Sequence, residues 1–102
     1  MAIRMSTPLS PAIQEFLRAL ASETRQTILF LFASEAALTV GQVAEAAGIG
    51  QSTASEQLAL LKRAGLLTSE REGKEVIYRP NHDRMIGYAQ ELLTYLQTCA
   101  GE

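Results

Sequence analysis

Apolar residues recur along most of this chain at helical spacing, interrupted once by a stretch of alternation between Gly65 and Pro80. Ile13, Phe16, Leu17 and Leu20 fall on one stripe of a first helix. Ser10 stands before it as an N-cap, and Pro11 occupies the first helical position, where a missing N–H costs nothing. Ser22 offers a second N-cap, with Glu23 in the first turn favourable to the helix dipole. Ile28, Leu29, Leu31 and Phe32 make that second helix broadly apolar, which predicts the central buried helix of the fold. Glu35 to Leu38 reads as a loop.

Thr39 and Gln42 then form a T-x-x-Q capping box. Val40, Val43, Ala44 and Ala47 supply the buried stripe of a third helix, which Gly48 closes. Gly48-Ile49-Gly50 has the length of the turn in a helix-turn-helix, with Ile49 expected to plug the core. A fourth helix runs from Gln51 to Ala64. It buries Ala54, Leu58 and Leu61 and leaves Ser52, Ser55, Glu56, Ala59 and Arg63 on the other side. Small hydrogen-bonding side chains on an exposed helix face suit close approach to base edges in a DNA major groove.

After Gly65 the period turns to alternation. LTSERE and EVIYR flank Gly73-Lys74, a β-hairpin signal, and Pro80 should end the second strand. Asn81 caps a last helix to about Thr98, with Ile86, Ala89, Leu92, Leu93 and Leu96 on its apolar face and Met85, Tyr88 and Tyr95 widening it. The pattern predicts a mainly α fold of four helices, a β-hairpin wing and a C-terminal helix: a winged helix-turn-helix.

Composition adds bounds. With 102 residues, 47% hydrophobic and 20% charged, the chain suits one globular domain over 9–102, with residues 1–8 as a flexible tail. No apolar run nears the ~20 residues that cross a bilayer. MAIRMSTPLSP lacks the apolar core of a signal peptide, and a lone cysteine excludes an intrachain disulfide, so the expected location is the cytoplasm.

Charge is permissive only. The net charge is −2, whereas DNA binders usually carry a basic patch. Residues 51–80 are the one net-positive third: Lys62, Arg63, Arg71, Lys74 and Arg79 exceed Glu56, Glu70, Glu72 and Glu75 by a single charge.

The segments LRALASETRQTIL (17–29), LTVGQVAEAAGIGQSTASEQLALLKRAGLL (38–67) and REGKEVIYR (71–79) resemble the ArsR/SmtB-type winged helix-turn-helix repressors, in the same order and spacing. The resemblance implies a homodimer built on the first and last helices. Its interface would use Ile13, Phe16 and Leu17 with Ala89, Leu92, Leu93, Leu96 and Cys99. It also implies that Gln51, Ser52, Thr53, Ser55 and Gln57 face DNA, on a near-palindromic operator with half-sites one turn apart, ~34–36 Å. Two positions depart from the family: Gly50 stands where a serine is usual, and Gln57 where a histidine is usual. Gln57 retains the donor and acceptor needed to pair with adenine.

Other residues carry two readings each. Glu56 either accepts from cytosine N4 or offsets the charge of Arg63; repulsion by phosphates favours the second. Arg71 and Lys74 are phosphate or minor-groove contacts, or solvated hairpin residues. Lys62 and Arg63 are phosphate clamps or cations at a helix C-terminus. Arg25 matches a recurrent family arginine and equally suits a structural role. Cys99 is a small hydrophobe on the dimer face, or a thiol that responds to oxidants.

The family is associated with metal sensing, but LTVGQVAE in the third helix has no Cys or His. The last helix offers His82, Asp83 and Glu91 without a histidine pair. His82 and Cys99, 17 residues apart, cannot close a tetrahedral site locally. No metal, cofactor or catalytic residue is expected. The expected function is a DNA-binding transcriptional repressor whose partners are double-stranded DNA and a second copy of itself. The alternatives are a winged-helix protein-interaction module and a thiol-responsive repressor using Cys99.

Overall fold

In the computed structural model, which describes residues 9–100, the five predicted helices are present, four of them opened by a side-chain cap and the fourth in chain order by Gly50, which offers none. The expected tail, residues 1–8, lies outside the described residues. Ser10 Oγ accepts from the Ile13 amide at 3.3 Å and opens α1 (Pro11–Leu20). Ser22 Oγ accepts from the Arg25 amide at 3.2 Å and opens α2 (Glu23–Leu31). The capping box is complete: the Gln42 amide donates to Thr39 Oγ1 at 3.1 Å, and the Thr39 amide donates to Gln42 Oε1 at 2.8 Å. It opens α3 (Val40–Ala47), which Gly48 ends at φ 68°, a left-handed conformation that glycine takes without a Cβ penalty.

After the turn comes α4 (Gln51–Arg63), whose Ala54, Leu58 and Leu61 are fully buried. Two strands follow, β2 (Leu67–Glu72) and β3 (Glu75–Pro80), antiparallel and joined through Gly73-Lys74. Asn81 caps α5 (His82–Ala100), its Oδ1 accepting from the Arg84 amide at 3.2 Å.

Three expectations are corrected. Leu38 does not belong to a loop: Leu38–Thr39 forms a short strand, β1, paired antiparallel with β3 (Leu38 opposite Tyr78), giving the sheet order β1-β3-β2. Leu38 and Tyr78 are both buried, so this pairing seals one side of the core. Second, α2 is not the central buried helix. It buries Ile28 fully and Phe32 follows at its cap, but Phe30 is 78% exposed. Burial centres instead on α4 and the segment after it, where Leu58, Leu61, Leu66 and Leu67 are at most 2% exposed.

Third, Ile13 and Phe16 are not surface residues awaiting a partner. They are buried within the protomer, and the Phe16 ring lies 5.3 Å from the Tyr88 ring. They hold α1 to the start of α5, while Leu17 is half-buried against the core. From Ala89 onward α5 turns outward: Ala89, Leu93, Tyr95, Leu96 and Cys99 are exposed and only Leu92 is half-buried.

Candidate nucleic-acid interface

Helix α4 stands with one stripe in the core and the remainder in solvent. Gln51, Ser52, Thr53, Ser55 and Glu56 are all exposed, as are Lys62 and Arg63 in its last turn. At about 100° per residue, Ser52, Glu56, Ala59 and Arg63 lie opposite the buried stripe. Gln51 and Ser55 form one edge of the exposed face, Thr53 and Gln57 the other.

The two edges meet different neighbours. Gln51, Ser52 and Ser55 line an open cleft of about 450 Å³ with the start of α3 (Val40, Gly41) and the hairpin tip (Lys74, Glu75, Val76). The wing therefore lies alongside the outward face of α4, and both can meet one surface. On the other edge, Gln57 is half-buried and its Oε1 accepts a hydrogen bond from Arg25 Nη1 at 2.9 Å. Gln57 is thus not a free side chain of the reading face, and Arg25 has the intramolecular role that its sequence left open.

Strand alternation sorts the wing's charges. Arg71 pairs across from Val76 and shares a sheet face with buried Leu67 and Tyr78. Glu70 and Glu72 lie on the other face, where Arg79 reaches both: Nη1 to Glu70 Oε1 at 2.6 Å and Nη2 to Glu72 Oε2 at 3.5 Å. These exposed pairs add little stability, and they set one positive charge between two of the wing's acids. Arg71 and Lys74 are exposed and make no salt bridge among the described residues.

The end of α4 is joined to α5. Gly65 follows α4 at φ 89°, the Leu66 amide donates to Leu61 O at 3.0 Å, and the Asn81 amide donates to Leu66 O at 2.9 Å. Sequence reading missed this joint and the Arg25–Gln57 contact, because each links residues far apart in the chain. Among the described residues, no helix is long and apolar enough to cross a membrane.

A capped three-residue turn, a half-exposed second helix and a hairpin beside it define a winged helix-turn-helix. The helix-turn-helix domain family matches residues 20–70, and the chain belongs to the ArsR/SmtB-type winged helix-turn-helix family. Relatives include the HTH-type transcriptional repressor SmtB of Mycobacterium tuberculosis, 41% identical over 68 residues, which are 67% of this chain and 50% of that protein. The biofilm growth-associated repressor of Xylella fastidiosa is 32% identical over 68 residues, 67% of this chain and 58% of that protein. The chain spans about half the length of the curated relatives it matches.

Among solved structures, the homodimeric winged helix-turn-helix DNA-binding domain (fragment 1–100) of a possible ArsR-family regulator from Mycobacterium bovis superposes with a TM-score of 0.69. It is 29% identical, over 89% of this chain and 84% of that one. NolR from Sinorhizobium fredii gives a TM-score of 0.65 at 27% identity, over 93% and 97% of the two chains.

Proposed function

We propose that this protein is a sequence-specific transcriptional repressor of the cytoplasm that binds operator DNA as a homodimer and catalyses no reaction. One observation carries the reading. Helix α4 buries Ala54, Leu58 and Leu61 completely while exposing Gln51, Ser52, Thr53, Ser55 and Glu56 beside the wing. An α-helix presented in this way fits a major groove about 12 Å wide. Arg71 and Lys74 on the wing, with Lys62 and Arg63 at the end of α4, supply phosphate contacts that fix register.

The second protomer is held by α5, whose outward apolar residues include Leu93 and Leu96, 54% and 52% exposed. Two relatives that are themselves repressors support repression as the outcome, and the Mycobacterium bovis domain supports the homodimer. Release follows from any event that favours a dimer geometry with misplaced recognition helices.

A titration against random-sequence duplex by fluorescence anisotropy at low and moderate salt tests this reading. The repressor binds weakly even to random DNA and loses affinity steeply as salt rises. Absence of binding at low salt would leave the protein-interaction module as the better account.

A further inference from the structure

Arg25 lies 32 residues before the side chain it fixes. Its Nε donates to Ala19 O at 2.9 Å, its Nη2 to Arg18 O at 3.1 Å and its Nη1 to Gln57 Oε1 at 2.9 Å. Both acceptors lie in the last turn of α1, where the helix runs out of amide donors; Arg18 O also accepts from the Ala21 amide at 3.2 Å. A guanidinium is a planar, rigid fork. Once two of its edges are held by α1, the direction of the third is set.

This geometry constrains the Gln57 amide. Arginine only donates hydrogen bonds, so the Gln57 oxygen must face Arg25 and the amide nitrogen must face away. Among the described residues nothing accepts from Gln57 Nε2, and no buried side-chain nitrogen or oxygen lacks a partner. Nε2 is therefore not sealed from solvent, and it lies on the α4 edge that Gln57 shares with exposed Thr53.

We propose that Arg25 is a positioning residue for operator recognition, holding Gln57 as a hydrogen-bond donor. Gln57 then reads an acceptor on a base edge, guanine O6 or N7 or thymine O4. It discriminates against adenine, where N7 is a single acceptor and the N6 amino group beside it sets donor against donor. The inference rests on the DNA-reading function proposed above.

The test is selection of operator sequences from a random duplex pool by the wild-type dimer, Gln57→Glu and Arg25→Lys, with thermal unfolding of each. Gln57→Glu keeps oxygens for Arg25 and removes the donor. Arg25→Lys keeps the charge and removes the fork. Wild type should enrich guanine or thymine at one symmetric pair of positions. Both variants should lose that preference, by on the order of tenfold in discrimination, and keep the preferences elsewhere.

If Arg25→Lys does not fold, Gln57→Glu alone decides. A wild-type adenine preference at the positions sensitive to Gln57, or a uniform affinity loss with unchanged preferences, overturns the proposal; the latter indicates a phosphate contact or a purely structural role. Failure of the wild type to enrich any sequence would overturn the DNA-reading function itself, and this inference with it.

Discussion

The Tyr88 hydroxyl sits over Gly65, 3.2 Å from where a Cβ on that glycine would stand. Gly65 has φ 89°, and the same Cβ would lie 2.8 Å from Arg84 Cδ. Arg84 can swing aside, but Tyr88 is backed by Phe16. The end of the recognition helix is therefore fitted to the first turns of α5, so a displacement of either element is felt by the other. Gly65→Ala should lower unfolding stability by about 1–3 kcal/mol, the usual cost of a non-glycine residue held in a sparsely populated conformation. Urea denaturation at fixed protein concentration measures it.

Glu56 lies opposite the buried stripe of α4 and is exposed. In a DNA complex its carboxylate meets phosphates, and removing one charge relieves at most about 1 kcal/mol across solvent. Glu56→Gln should therefore tighten binding to operator and random duplex alike, by up to about fivefold for each protomer in contact with DNA. Weaker binding confined to one operator position would instead assign Glu56 to a cytosine.

Lys74 at the wing tip borders the same cleft as Ser52 and Ser55. If it contacts a phosphate, Lys74→Ala reduces the magnitude of the log–log salt slope by about 0.9 per contact, or about 1.8 for a dimer with two wings. An unchanged slope with unchanged affinity would make it a solvated hairpin residue.

The outward residues of α5 make self-association sensitive to charge. Leu93→Glu should leave the protomer folded, because Leu93 is already half in solvent. The same change should weaken dimerisation at least about tenfold, since an unpaired charge in an apolar interface is costly. Sedimentation velocity across a dilution series reads the shift, with circular dichroism as the folding control.

Local chemistry made much of this fold legible. Ser10, Ser22, Thr39 with Gln42, and Asn81 act within three residues of themselves, and four of the five helix starts follow from them. The stripe of α4 was equally readable, because Ala54, Leu58 and Leu61 keep helical spacing. What escaped depends on distance along the chain. A two-residue strand such as Leu38–Thr39 has no period to detect, and its partner Tyr78 lies 40 positions on. An apolar stripe also does not say which protein it meets: Ile13 and Phe16 face their own core, whereas Leu93 and Leu96 do not. Gln57 looked like a free reader because the arginine that turns its amide lies two helices away.

The proposed function requires two copies of α4 to read DNA together from a dimer held by α5. Selection from a random duplex pool by the wild-type protein tests it most directly. A near-palindrome with half-site centres about one helical turn apart, ~10–10.5 base pairs, should be enriched. Recovery of no enriched sequence, or of a single unpaired site, would contradict it.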